Sequence, residues 1–276
     1  AAYNTTGADN IAVGSAALER NTTGSNHIAI GKSALLSQTT GSDSIAIGKD
    51  ALSVGTALTQ QLAIGNDAGK NTTGSDNIFI GHQVGVTNTG GSANTAIGHR
   101  AFFFNTSGNN NVALGLGALK QNTTASDNTA IGKNALNANT TGSLHVAVGI
   151  DALESNTTGN YNTAIGREAL ALNTTGSSNV AVGLNSLSQN TTADENVAIG
   201  RNALVNDTTG AANTAVGAFA GDSITTGGSN TVIGHNCGQA ITTGGANTFV
   251  GRNAGQLNTG SDNTYIGQRC AESMTT

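Results

Sequence analysis

The chain has 276 residues and a formal net charge of −5, with 39 Gly, no Pro, no Trp, 3% aromatic and 10% charged residues. Charge this sparse, far below the ~25% of ordinary globular domains, excludes a charge-driven disordered segment, and the mild negative balance argues against nucleic acid as the main partner. No run of about 18 apolar residues is present, so no membrane insertion is expected.

The predicted elements are copies of one unit. With the Gly of each I/V-A-I/V-G cluster taken as position zero, sixteen such Gly run from Gly14 and Gly31 to Gly251 and Gly267; thirteen of the fifteen intervals are 17 residues and two are 16. The unit, roughly N-T-T-G-S-x-N-x-A-I-G-x-x-A-L-x-x, is too short for a βαβ unit or a helical hairpin. It alternates β-branched residues before the Gly and carries a turn signal after the Leu. This predicts an all-β fold, a parallel β-solenoid (β-roll) of sixteen ~17-residue coils forming a single repeat domain over residues 1–276. At ~4.8 Å per stacked strand the rod is on the order of 75 Å long. Both ends look uncapped, as expected for a fragment of a longer fibre.

In a solenoid each repeat position becomes a column. Position −1 is aliphatic in all sixteen copies, from Val13 and Ile30 to Val250 and Ile266, and reads as core. Position −3 shares its face and is Ile, Val or Leu in nine copies and Thr in seven, such as Thr95, Thr163 and Thr248. Position −2, Ala in twelve copies including Ala12 and Ala198, points the other way. Apolar residues on both faces imply that both are covered. One lines the coil interior; the other needs a cover that a single chain does not offer, which implies a homo-oligomer unless the small Ala tolerates solvent.

Asn recurs at −4 in twelve copies, Thr at −9 in fifteen and Gly at −7 in thirteen. The Gly suits a turn backbone with positive φ. Asn and Thr side chains are expected to bind turn backbone groups or one another up the stack. The sequons formed there, including Asn4, Asn21 and Asn156, are then turn chemistry rather than glycan sites.

Along the chain, SVGTALTQQ (53–61) loses the turn signal and is a candidate for a distinct surface. In DNIFIGHQVG (76–85), Phe79 replaces Ala at −2 while Gly85 replaces Leu at +4; the same exchange joins Val232 to Gly238, Phe249 to Gly255 and Tyr265 to Ala271. Positions −2 and +4 should therefore share one compartment that reaches into the neighbouring coil, because Gly69 and Gly221 each lie one coil before an enlarged −2 residue. In AFFFN (101–105), Phe102 fills the Leu slot, whereas Phe103 and Phe104 stand at positions that are polar in most copies. Phe103 and Phe104, with His99 and Arg100 beside them, form the candidate ligand-binding site, since exposed aromatics stack on sugars or anchor a protein. The competing reading is extra packing against an oligomeric neighbour.

Position +1 forms a broken basic stripe of Lys32, Lys49, Lys133, Arg167, Arg201 and Arg252, together with His82, His99 and His235. It is either a solvated edge paired with acids at −5 (Asp43, Asp76, Glu195) or +2 (Asp50, Glu168), or a weak site for anions and acidic glycans. His82 and His99 lie in adjacent coils, but a metal site needs three or four ligands, and one carboxylate per turn is a poor calcium cage. No metal or cofactor is expected. Cys237 and Cys270 occupy the +3 slot, mostly Ala, and read as small buried residues two coils apart, too far for a disulfide. No CxxC, HExxH, P-loop or nucleophile elbow is present, so an enzyme is not expected.

N-I-A-V-G at 10–14, N-V-A-L-G at 111–115 and N-V-A-I-G at 196–200 resemble the head repeats of YadA-like trimeric autotransporter adhesins. The longer unit NTTGNYNTAIGREAL at 156–170 is similar to repeats of phage-type tail fibres and bacterial surface fibres. The resemblance implies a left-handed β-roll, a homotrimer, and an extracellular place on a cell or a phage-like particle. It further implies a structural or adhesive role that spaces or presents a surface for a cell-surface glycan or protein receptor. A phage or injection-system tail-fibre shaft is one alternative. An ice-binding solenoid using the Thr and Asn ladders is another, weakened because adjacent Thr in an extended strand face opposite sides.

Overall fold

The computed structural model describes residues 3–271. The chain divides into two compact units, residues 1–141 and 142–276. Unit 1 carries eight three-residue strands, from β1 (Ile11–Val13) to β8 (Thr129–Ile131); unit 2 carries eight more, from β9 (Val146–Val148) to β16 (Thr264–Ile266). Within each unit every strand pairs in parallel with the same three positions of the next coil, as in Ile11↔Ile28, Ala12↔Ala29 and Val13↔Ile30. The 16-residue interval leaves that register intact, with Ala63 opposite Phe79. Both units are thus parallel β-solenoids, as the period required, and no helix among the described residues is long and apolar enough to cross a membrane.

Which strand face points inward differs from the expectation. The −2 column is the interior: Ala29, Ala63, Ala147 and Ala198 are fully buried. The −1 column, read as core, is on the outside, where Ile30 is 38%, Ile131 40%, Ile165 41% and Ile199 40% exposed. Hydrophobicity alone does not separate the two faces. Size does: the coil is too thin to hold an Ile column opposite the buried +4 Leu, so the small residue goes in.

The corners have an unusual backbone. Each Gly at position zero has φ between +129° and +142°, a region that a Cβ forbids. Positions −5, +2 and +4 are left-handed too, for example Asp43 at φ 58°, Asp50 at 57° and Leu52 at 49°. Asp and Asn accept that conformation easily. For Leu it costs about 1–2 kcal/mol, offset by burying the side chain completely, which contributes about 1.5–3 kcal/mol.

Two buried amide columns stitch the coils of each unit together. At −4, Asn94 receives the backbone N–H of Asn111 on its Oδ1 (2.9 Å) and donates from Nδ2 to Gly108 O (3.0 Å). At −10, Asn122 donates to Asn105 Oδ1 and Asn173 to Asn156 Oδ1, both at 2.8 Å. The sequon residues Asn21 and Asn156 belong to this second column and are fully buried. The −7 Gly is not a positive-φ position. It is small because a Cβ on Gly108 would run into the backbone carbonyl of Ala125 in the next coil and lie 2.6 Å from Asn105 Oδ1 and 2.8 Å from Asn122 Nδ2, so the stacked backbone and the amide column together crowd it.

The packing exchange is present as read. A Cβ on Gly85 would stand 2.5–2.8 Å from the Phe79 ring, and one on Gly255 2.5–2.9 Å from Phe249. The compartment reaches the preceding coil, since a Cβ on Gly69 would meet Phe79 Cδ2 at 2.8 Å and one on Gly221 would meet Val232 Cγ2 at 3.1 Å. Segment 53–61 proves to be another interior exchange: Leu58 is fully buried, its side chain filling the space that Gly55 vacates in the −10 column.

Candidate functional site

With the interior filled by Ala, Leu and amides, chemistry is left to the outer columns +1, +2, +5 and +6. In unit 1 these columns gather the sequence-predicted residues His99, Arg100, Phe103 and Phe104 around two adjoining concavities. One, of about 350 Å³, is lined by Arg100, Phe103, Phe104, Lys120 and Gln121. The other, of about 260 Å³, shares Arg100 and Lys120 and adds His99, Leu116 and Asn134 among its walls.

The rings of Phe103 and Phe104 meet edge to face, with centroids 4.6 Å apart and planes at 73°. Phe104 is exposed and Phe103 half-buried, so both present carbon surface to solvent. Arg100 is anchored from Nε to Gln83 Oε1 (3.0 Å), and its guanidinium carbon lies 5.6 Å from the Phe103 ring centre. None of the ion pairs among the described residues involves Arg100 or Lys120. The reason is local composition: no Asp or Glu occurs between Asp76 and Asp127.

His99 stacks on His82, ring centroids 5.2 Å apart and planes within 4°. In-plane lone pairs of parallel rings do not converge on one ion, so the pair is a stacked column rather than a chelate. Among the described residues no group of three His, Cys, Asp or Glu could hold a metal ion.

The basic stripe is exposed at Lys32, Lys49, Lys133, Arg167, Arg201 and Arg252. Its ion pairs are with the neighbouring +2 acid: Lys49 to Asp50 at 3.7 Å and Arg167 to Glu168 at 2.7 Å. The −5 acids do not supply these pairs; Asp43 instead accepts from Asn26 Nδ2 at 2.9 Å. Arg201 lies over the Phe219 ring, 4.5 Å from its centre. The −9 Thr column turns its hydroxyls to backbone, as Thr22 donates to Thr39 O (3.0 Å) and Thr174 to Thr191 O (2.9 Å).

Three titratable groups hidden in the amide columns gave no functional signal in the sequence. His27 and His145 take the place of Asn at −4 and copy its bonding. In His27, Nδ1 accepts from Ser44 N (3.3 Å) while Nε2 donates to Gly41 O (2.7 Å). Burial lowers the pKa of both rings, that of His145 to about 4. Asp207 stands in the −10 column, where burial raises its carboxyl to about 7. One coil earlier, Asn190 Oδ1 is buried without a partner, because residue 207 lacks the amide N–H₂ that an Asn would extend to it. Cys237 is buried and free, its thiol pushed up to about 11 by burial; Cys270 is half-buried and free.

No protein-family model, curated protein or solved structure matches this chain. Its functional reading therefore rests on the geometry described above and on the short motifs of the repeat.

Proposed function

We propose that the chain is a structural and adhesive segment of an extracellular homotrimeric fibre, which spaces or presents a surface for attachment to host cells or glycans. The observation that carries this is the −1 column: every copy is Ile, Val or Leu, yet the side chains face outward and many are more than a third exposed in the single chain. A regular aliphatic ladder of this length exceeds the scattered apolar exposure usual for a monomer. Burying it against identical ladders is the economical cover, because a symmetric assembly presents the same ladder from each copy. The likeness of the N-x-A-I/V-G motifs to trimeric adhesin heads supports three copies and a left-handed coil. A tail-fibre shaft is the same assembly on a different particle. Neither version involves catalysis; the outer columns display, and the interior holds the coils of each unit together.

The experiment is a pair of sedimentation measurements. The wild-type chain should sediment as three copies. Replacing two outward residues of one unit, Ile165→Lys with Ile199→Lys, should convert it to single chains that keep their β-type circular dichroism. A wild-type chain that sediments alone would overturn the proposal.

A further inference from the structure

We infer that the paired concavities of unit 1 form a binding site for an anionic saccharide, whose charged group sits between Arg100 and Lys120 while the C–H face of a sugar ring lies on Phe103 and Phe104. This deepens the reading of the chain as an attachment segment and rests on it.

Three independent features converge here. The first is charge. Arg100 and Lys120 face both concavities, within a stretch from 77 to 126 that contains no acid in a chain of net charge −5. Two cations unneutralised by neighbours favour a carboxylate or sulfate over a neutral group. The second is the ring surface. Phe103 and Phe104 stand where other copies carry mostly polar residues, and aromatic faces are the usual platform for apolar sugar faces. The third is the floor. Gly117 is the sole Gly among the sixteen +2 residues, with φ 68°, and a Cβ there would lie 2.9 Å from Asn134 Oδ1 and 3.0 Å from Asn137 Nδ2. The missing side chain opens the smaller concavity onto Asn134 and Asn137, the latter held in place by its Nδ2 donating to Gly117 O (2.9 Å). A primary amide has two N–H donors and a two-lone-pair oxygen, so one bond does not exhaust it.

Size fits the same ligand. The larger concavity, about 350 Å³, is at the lower end of the ~300–1,000 Å³ of small-molecule sites, suited to a ring or two rather than a long peptide. Its outward columns are not those of the strand face, so assembly through the −1 ladder and binding in the groove use different residues.

The test is calorimetric titration of the full chain with sialyllactose, a glucuronate-containing tetrasaccharide, a sulfated disaccharide and neutral lactose. At least one anionic saccharide is expected to bind, with lactose weaker by about tenfold or more. The double variant Arg100→Ala with Lys120→Ala should lose that selectivity. Phe103→Ala with Phe104→Ala should weaken all binding by about tenfold. Gly117→Asn, which installs the residue already found in the same column at Asn134, should block the smaller concavity without disturbing the fold. Which anion binds best identifies the charged group. Equal binding of lactose, no binding by any saccharide, or affinities unchanged in all three variants would overturn the site. Sedimentation of each variant separates the two proposals: a groove that fails in an intact trimer leaves the assembly standing, and single chains that still bind the saccharide leave the groove standing.

Discussion

One stretch of columns +2 and +5 in each unit, residues 100–120 in unit 1 and 151–168 in unit 2, carries charge of opposite sign. In unit 1 they hold Arg100, Phe103 and Lys120 around open concavities. In unit 2 the same columns hold Asp151, Glu154 and Glu168 around a concavity of about 280 Å³. Beneath this contrast the interiors match: Ala at −2, Leu at +4 and amides at −4 and −10 are buried in both units. The difference teaches where the fold leaves freedom. Each interior residue touches its own copies in the coils before and after, so a change there must be compensated. An outer residue has fewer such contacts, as where Arg100 is held by Gln83 and His99 stacks on His82.

The comparison can be broken most forcefully from the interior, which should respond alike in both units. Gly85→Leu and Gly255→Leu each force a side chain into a Phe ring at a left-handed residue. The expected loss is about 2–5 kcal/mol, from overpacking of ~1–3 kcal/mol plus the backbone penalty of ~1–2 kcal/mol. Adding Phe79→Ala to Gly85→Leu recreates the common Ala and Leu pairing and should return most of that stability in thermal unfolding. Strictly additive losses would mean that the two positions do not share a compartment.

Asp207 sharpens the contrast, because a carboxyl in the −10 column occurs in unit 2 alone. Its carboxyl is raised from an ordinary 3.8 to about 7. The folded state therefore keeps a proton that the unfolded state releases, and the contribution present below about pH 3.8 is lost as pH rises through 7. Asp207→Asn removes this dependence and gives Asn190 Oδ1 its donor. It should stabilise the protein by about 2–4 kcal/mol at pH 8 and by little at pH 3.5. Denaturant unfolding at the two pH values measures the difference.

His145 has the opposite sign. Its pKa falls from 6.5 to about 4 in the folded state, so the unfolded chain takes up the proton first. Stability should decline as pH drops from 6.5 towards 4, by up to about 3 kcal/mol. His145→Asn should flatten that segment of the profile. The smallest expected effect is in the groove: Arg100→Ala with Lys120→Ala should change unfolding free energy by under about 0.5 kcal/mol, as for ordinary surface substitutions.

Much of this was legible in the sequence. The 17-residue interval fixed coil length and in-register pairing, since no other element fits that period. The exchange of Phe79 with Gly85 was visible because steric complementarity leaves a correlated trace among copies in one chain. The direction of the strand faces was not visible: Ala and Ile are both apolar, and the deciding quantity is the thickness of the coil. The −4 Asn ladder was expected, but its complete burial and the second column at −10 were not, because Asn is a turn residue by habit, and only the stacking of coils satisfies its oxygen and nitrogen without water. In the groove, Phe103 and Phe104 announced themselves as aromatics in polar columns. Gly117 and Lys120 did not, although a lone Gly in the +2 column was a signal available to be read.

The most direct test of the central claim is the solution mass of the intact chain at micromolar concentration. On the proposal that the outward aliphatic ladder is buried against identical copies, the mass should be three times the 27.2 kDa of one chain. A mass of one chain, with the strand face open to water, would contradict it.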